Sequence, residues 1–174
     1  TIKFIPVGAI AVGAMFPMPT LLDPLQEFTQ RFPHAQLALH SQPLGGPVRL
    51  VREGRADLAV AHLMEEPAPA LRTFLLPSVP GAMYVASDHP LLRGPLRPDA
   101  LADHVQIVLT DGSTGPMRGV FSPRIWHVAD LHTKQSLLLR RFGFGTLPCH
   151  FAADAEARGE LQRLKIEGFP EGFE

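Results

Sequence analysis

The chain has 174 residues, of which 45% are hydrophobic and 19% are charged, and its formal net charge is −1. That size and balance predict a folded protein with a substantial core, built as one domain or as two small lobes. They argue against unaided binding of DNA or RNA, because no run of Lys or Arg supplies the positive surface that phosphate groups need.

The first sixty residues predict strands that alternate with helices. Three apolar runs are typical of strands: Ile2–Gly8, Ala35–His40 and Asp57–Ala61. The segment Ala9–Ala14 has the composition of a small-residue loop. Helices are expected over Leu21–Phe32, with Asp23 as the capping residue, and over Pro47–Gly54, where Gly54 ends the helix. The β-α-β-α-β order predicts a mainly parallel sheet with right-handed crossovers.

A second set of strands and helices follows from Arg72 onward. The expected strands are Arg72–Pro77, Ala82–Leu92, Val105–Thr110, Arg124–Val128, Gly145–Pro148 and Leu161–Ile166. The expected helical segments are Arg97–His104, Asp130–Gly143 and Pro148–Gly159, with a capping residue or proline at the start and glycine after the later two. The sequence therefore predicts two α/β lobes.

Neither secretion nor membrane insertion is expected. The longest apolar stretch, Ile5–Met18, is interrupted by glycines and prolines and follows no basic segment, which excludes a signal peptide and a membrane span. The single cysteine, Cys149, rules out an internal disulfide and fits a reducing cytoplasm. With no second cysteine to pair with it, an inert thiol is the expected state.

Six segments occur in the order and at the spacing of one bacterial family. They are FTQRFPHAQLALH, LVREGRADLAVA, ASDHPLL, LADHVQIVLT, HVADLHTKQSLLLRRFGFGTLP and ARGELQRL. Together they resemble the effector-binding domain of LysR-type transcriptional regulators, from about Ile2 to Leu164. The segment GRADLA carries most of this resemblance, and HPL and GFGTLP follow. Each motif alone is weak evidence for the family, whereas six motifs in the same order are specific evidence for it.

The resemblance implies an α/β fold of the two-lobed, type 2 periplasmic-binding-protein kind, with a hinge of two crossing strands. Residues 1–75 plus 163–174 would form lobe I and residues 76–162 lobe II. A small-molecule effector would bind between the lobes, and the complete regulator would form dimers and tetramers. The family contacts DNA through an N-terminal winged helix-turn-helix, and it usually has a further strand and helix after the position of Ile166. This chain contains neither, so we expect it to be a fragment.

The expected effector site lies beyond the carboxyl ends of the strands, where open α/β sheets bind ligands. At these strand ends, the resemblance to the family implies the positions of the pocket, and the residues expected to line it are Ala9, Ile10, Leu44, Gly45, His62, Thr110, Asp111 and His127. Backbone N–H groups before Pro47 favour an anionic ligand. The side chain of Met64 favours a ligand that also has an apolar part. Asp111 opposes an anion unless it pairs with Arg124 or with an amine of the ligand. A zwitterionic or aromatic acid satisfies these conditions.

Other site chemistries have weaker support. His40, His62 and His127 fall at strand ends, yet no H-x-x-x-H pair accompanies them, so no metal is expected. The glycines near the start do not form G-x-G-x-x-G, and Ser113 lies outside a G-x-S-x-G motif, so neither a dinucleotide cofactor nor an enzyme is expected. The alternative to a regulator is a solute-binding protein of a transport system, which shares the fold.

Overall fold

The structure is a computed structural model that describes residues 7–62, 70–94, 96–112 and 119–166. The chain separates into two compact units, Thr1–Leu75 and Leu76–Glu174. Within the described ranges, no helix combines the length and the apolar character needed to cross a membrane.

The first unit is a three-stranded parallel sheet with two helices. Its strands are β1 (Val7–Gly13), β2 (Gln36–Gln42) and β3 (Leu58–Val60), in the order β2-β1-β3. Its helices are α1 (Pro19–Arg31) and α2 (Gly46–Arg52). Leu50 of α2 packs with Ala11 and Ala56 in a small buried core. The predicted β-α-β-α-β order and the parallel sheet are confirmed.

The first strand lies further along the chain than the sequence predicted. Ala9–Gly13, expected to be a loop, is the greater part of β1. Ile10 and Val12 supply the alternating β-branched residues that a strand favours. The small residues between them suit a central strand that is packed closely on both sides: Ala11 is fully buried, and a Cβ on Gly13 would lie 3.4 Å from the carbonyl oxygen of Val60. Residues 2–6 lie outside the described part of the chain.

Helix α1 begins before the predicted cap. Pro19 occupies the first turn, where a missing N–H costs nothing because that donor has no partner inside a helix. No side chain caps this end, and the amide of Leu21 donates instead to the carbonyl oxygen of Met18 at 2.9 Å. Asp23 is therefore an interior residue rather than the cap.

Helix α2 ends where the sequence predicted. Gly54 has a φ of 68°, a left-handed conformation that costs glycine little. The amides of Arg55 and Ala56 then both donate to the carbonyl oxygen of Leu50, which closes the helix and turns the chain toward β3. The abrupt change from helix to strand in GRADLA is thus a glycine-terminated helix followed by an immediate return to the sheet.

The second unit is a five-stranded mixed sheet. Its strands are β4 (Gly81–Ala86), β5 (Gln106–Leu109), β6 (Ile125–Val128), β7 (Phe144–Pro148) and β8 (Leu161–Arg163), in the order β6-β5-β7-β4-β8. Strand β5 is parallel to β6 and β7, and β4 is antiparallel to both of its neighbours. The helices are a 3₁₀ helix (Pro90–Arg93), α3 (Pro98–Leu101), α4 (Leu131–Leu139) and α5 (Cys149–Ala157).

Two glycines allow β7 to lie close to β5. A Cβ on Gly143 would collide with the carbonyl group of Val105, and a Cβ on Gly145 would lie 2.5 Å from the carbonyl oxygen of Ile107. The glycines of the GFGTLP segment are therefore required by this close approach of two backbones.

Residues 163–166 lie in the second unit, whereas we had expected residues 163–174 in lobe I. Arg163 pairs with Tyr84 in the sheet, and the amide of Leu164 donates to the carbonyl oxygen of Met83 at 2.9 Å. Leu164 and Ile166 then lie buried in the core of this unit. Their apolar side chains decide the assignment, because burial against β4 removes them from water. Residues 167–174 lie outside the described part.

Three other element boundaries differ from the predictions. Arg72–Pro77 forms no strand, and Leu75 within it is 95% exposed, so this apolar run lacks a sheet to pair with. The strand predicted over Ala82–Leu92 ends at Ala86. Helix α4 ends at Leu139 rather than at Gly143, because Arg141 adopts a left-handed φ of 63°.

Candidate functional site

The order of the strands in the first unit gives its sheet a topological switch point at one edge. The carboxyl ends of the three parallel strands, at Gln42, Gly13 and Val60, share that edge. Because β2 and β3 lie on opposite sides of β1, the connections from β1 and β3 diverge there. Such a switch point is where open α/β sheets bind ligands. The segments that leave it are Ala14–Met18 and Ala61–His62.

The segment after β1, which the sequence did not single out, begins at this edge of the sheet. The amide of Ala14 donates to the carbonyl oxygen of Gln42 at 2.8 Å, and the amide of Phe16 donates to that of Gly13 at 2.9 Å. The side chains of Met15 and Phe16 remain half-buried at the edge of the sheet. The alternation of Ile10 and Val12 was the signal that would have extended β1 and moved the loop to this position.

Ala9 and Ile10 do not lie at this edge, which corrects their expected role. They are the third and fourth residues of β1, and Ile10 pairs with Leu39 on one side and with Leu58 on the other. The amide of Ala9 donates to Oδ2 of Asp57 at 2.8 Å, and its carbonyl oxygen accepts from the amide of Asp57 at 2.8 Å. The backbone N–H and C=O groups of Ala9 are therefore used within the sheet.

Leu44 and Gly45 follow the carboxyl end of β2, as predicted. Leu44 adopts a left-handed φ of 43°, which strains a residue other than glycine and is most common at functional sites. Fewer backbone N–H groups before Pro47 are available to an anionic ligand than the sequence suggested. The amide of Gly46 donates to the carbonyl oxygen of Pro43 at 2.9 Å, and Pro47 has no N–H.

In the second unit the structure brings Thr110 and His127 onto neighbouring strands. The amide of Thr110, just after β5, donates to the carbonyl oxygen of Val128 at 2.9 Å. Its Oγ1 accepts from the amide of Gly112 at 3.1 Å, which leaves the hydroxyl proton available to an external acceptor. His127 lies in β6 with an exposed side chain, and Asp111 is half-buried.

The start of helix α4 already holds a carboxylate. Asp130 caps the helix, as predicted: its Oδ1 accepts from the amide of Thr133 at 2.8 Å and its Oδ2 accepts from the Thr133 hydroxyl at 2.7 Å. These hydrogen bonds, the backbone one first, hold the pKa of Asp130 below its ordinary value. An anionic ligand would be repelled at this helix end.

The predicted residues thus fall into separate groups. Leu44, Gly45 and His62 follow the carboxyl ends of strands in the first unit, and Thr110 and His127 lie at the corresponding edge of the second. Met64 lies outside the described residues. Across the parts of the chain that the structure describes, no group of three His, Cys, Asp or Glu side chains could hold a metal ion.

A family profile described as the LysR substrate binding domain matches residues 7–173. The chain belongs to this family. The resemblance carried by the six sequence segments is therefore confirmed, and so is the type 2 periplasmic-binding-protein-like fold of LysR substrate-binding domains. No curated protein sequence matches the chain significantly.

Several solved structures share the fold of this LysR substrate-binding domain. The oxidised form of OxyR has a TM-score of 0.67 and 19% identity, over 96% of this chain and 82% of that chain. The regulatory domain of CcmR from Synechocystis PCC6803, in complex with 2-PG, has a TM-score of 0.62 and 20% identity, over 95% and 83%. The effector-binding domain of QuiR, in complex with shikimate, has a TM-score of 0.65 and 16% identity, over 97% and 84%.

This LysR substrate-binding domain is the ligand-sensing part of a LysR-type transcriptional regulator. The matches give no support to the alternative of a transport protein. Regulatory domains of this family are ligand-binding regulators rather than enzymes.

Proposed function

We propose that this domain senses a small organic acid held at the carboxyl edges of its parallel strands. In the first unit the contacts come from Ala14–Met18, Leu44–Gly45 and His62. In the second unit they come from Thr110–Asp111 and His127. The observation that carries this proposal is the order β2-β1-β3, which places a switch point between the ends of β1 and β3, beside His62.

The side chains at these edges suit a carboxylate joined to an apolar body. His62 is exposed and offers a ring N–H, and Thr110 retains a hydroxyl proton to donate. Met15 and Phe16 supply half-buried apolar surface. The complexes of CcmR with 2-PG and of QuiR with shikimate support a small-molecule effector for this domain.

We further propose that the domain works as a homodimer within a cytoplasmic regulator and has no catalytic activity. None of the residues of helix α1 is buried, although Leu21, Leu25 and Phe28 lie along one side of it. Strand β2 lies at the edge of its sheet, and its Leu39 is exposed. A second copy that covers this helix and strand would remove that apolar surface from water. DNA would be contacted by the winged helix-turn-helix of the full-length regulator.

A thermal-shift screen of small organic acids, followed by calorimetry of those that stabilise the domain, tests the proposal. His62→Ala and Thr110→Val should each weaken binding by about 1–3 kcal/mol, the range for losing a hydrogen bond to a charged group. The matched controls are His34→Ala and Thr73→Val, both at exposed positions away from these edges. Unchanged affinity in both site variants would place the effector elsewhere.

A further inference from the structure

A polar crevice of about 340 Å³ lies at the opposite edge of the second sheet from Thr110. Val105 and Arg124, each just before a parallel strand, form part of its wall, so it opens at the amino ends of β5 and β6. The rest of the wall comes from the turn after β4, the 3₁₀ helix, the turn after α3 and the turn before β7. None of these residues belongs to the effector site proposed above.

Positive charge exceeds negative charge in this crevice. Three arginines line it, Arg93, Arg124 and Arg141, against the carboxylates of Asp88 and Asp103. Arg141 forms an ion pair with Asp88, so that carboxylate is already neutralised. Within the described residues Arg93 has no ion-pair partner. Arg124 donates to the carbonyl oxygen of Asp103 at 2.7 Å. Each guanidinium has five N–H donors, so Arg124 and the paired Arg141 also retain donors for a ligand.

The wall that carries Arg124 is held by buried hydrogen bonds. Oε1 of the buried Gln106 accepts from the amides of Phe121 and Ser122, at 2.7 and 3.2 Å. The hydroxyl of Ser122 donates to the carbonyl oxygen of His104 at 2.7 Å and accepts from the amide of Arg124 at 3.0 Å. The backbones of His104 and Arg124 are therefore held in place before any ligand arrives, which lowers the cost of binding.

Two histidine rings that pack edge to face line the crevice. The rings of His89 and His104 meet edge to face with centroids 5.0 Å apart. Nδ1 of the buried His89 accepts from the amide of Leu91 at 3.1 Å, so the ring proton resides on Nε2. Burial, and then the neighbouring His104, lower the pKa of His89. His89 is thus a neutral donor through its Nε2 proton.

We propose that this crevice is a second binding site, separate from the effector site, for a small phosphate-bearing molecule. Arginine is the side chain best suited to phosphate, because its planar fork matches two phosphate oxygens at once. Pro90 and Phe142 add apolar surface on which an organic group can lie. The volume lies in the range of small-molecule sites.

Calorimetry with inorganic phosphate and with phenyl phosphate, at matched ionic strength in chloride, tests this site. The ring proton resonances of His104 report where the probe binds. We expect saturable binding of at least one probe with a shift of the His104 resonances, and affinity about tenfold weaker in Arg93→Gln combined with Arg124→Gln. Arg140→Gln, an exposed arginine that does not line the crevice, should bind like the unmodified domain.

The outcomes distinguish an organic phosphate from free phosphate, and they distinguish this crevice from the proposed effector site. Tighter binding of phenyl phosphate assigns the site to an organic phosphate, and equal binding assigns it to free phosphate. His62→Ala should leave this binding unchanged, so failure of the effector proposal is a separate result. Absence of saturable binding by both probes, or equal loss of affinity in Arg140→Gln and in the variant that combines Arg93→Gln with Arg124→Gln, would overturn the proposal.

Discussion

Asp57 and Ala9 exchange two hydrogen bonds across the sheet of the first unit. The amide of Ala9 donates to Oδ2 of Asp57, and the amide of Asp57 donates to the carbonyl oxygen of Ala9, both at 2.8 Å. Strand β3 begins one residue later, at Leu58, so the carboxylate takes the place of a strand carbonyl. The acid of GRADLA therefore lengthens a strand of only three residues.

Replacing that carboxylate should weaken the first unit. Asp57→Ala removes the acceptor of the Ala9 amide, and we expect the free energy of unfolding to fall by about 1–2 kcal/mol. Asp57→Asn keeps an oxygen acceptor and should lose less. Urea denaturation followed by circular dichroism measures both changes. Asp154→Ala, at an exposed position of α5, is the control; an equal loss there would mean that the effect is not specific to the Ala9 pair.

Gly145 should tolerate no side chain. A Cβ at this position would lie 2.5 Å from the carbonyl oxygen of Ile107 and 3.0 Å from Cε of Lys134, so β7 would have to move away from β5. We expect Gly145→Ala to cost about 2 kcal/mol or more, as overpacked core positions do. Gly94→Ala, where no atom lies within 4 Å of the added Cβ, should change stability little. Similar melting temperatures for the two variants would contradict this packing.

Lys134 should be a source of instability in the second unit. Its side chain is 4% exposed, it has no ion-pair partner in the described ranges, and burial lowers its pKa to about 8 from 10.5. A lysine whose pKa falls on folding destabilises the folded state below the folded pKa, and the penalty disappears as the pH rises through the unfolded pKa. At neutral pH this penalty is about 3 kcal/mol.

Lys134→Met should therefore raise the free energy of unfolding at pH 7. The Met side chain keeps the apolar length of the lysine chain beside Gly145 and carries no charge. The gain should shrink as the pH is raised from about 8 toward about 10. Urea titrations across this range measure it. Lys165→Met, at an exposed position, is the control. A gain that does not depend on pH would show that the ammonium group is not its cause.

A charge at Leu22, an exposed apolar residue of α1, should weaken the proposed dimer. Leu22 is 56% exposed, so Leu22→Glu should leave the fold intact. We expect sedimentation velocity to show a shift from dimer to monomer at matched concentrations, because an interface disfavours an unpaired buried charge. Gln30→Glu adds the same charge on the polar side of the helix and should remain dimeric. If both variants sediment like the unmodified domain, α1 is not the interface.

Most of the secondary structure follows from local patterns that the sequence displays. The glycine end of α2 at Gly54 and the Asp130 cap of α4 depend on neighbouring residues alone, and both were predicted correctly. The parallel order of the first sheet followed from the alternation of strands with helices.

The predictions failed where distant contacts decide the structure. Ala9 and Ala11 resemble a loop by composition, yet β2 and β3 on either side make them part of a strand. Leu164 could have been buried in either lobe, and only its contact with β4 assigns it to the second unit. The loop after β1 was displaced for the same reason: with β1 predicted too early, Ala9 and Ile10 were given the position at the end of the strand that Ala14–Met18 occupies.

The pairing of β8 with β4 has a consequence for synthesis of the chain. Strand β4 is among the first segments of its unit to leave the ribosome, and β8 is made about 75 residues later. Until Leu161 emerges, one edge of β4 has no partner, while its residues Met83 to Ala86 are ones that the finished fold buries. An exposed edge of this kind invites pairing with other chains. Ribosome pausing or premature termination before Leu161 should therefore promote aggregation far more than a stop shortly after Ile166.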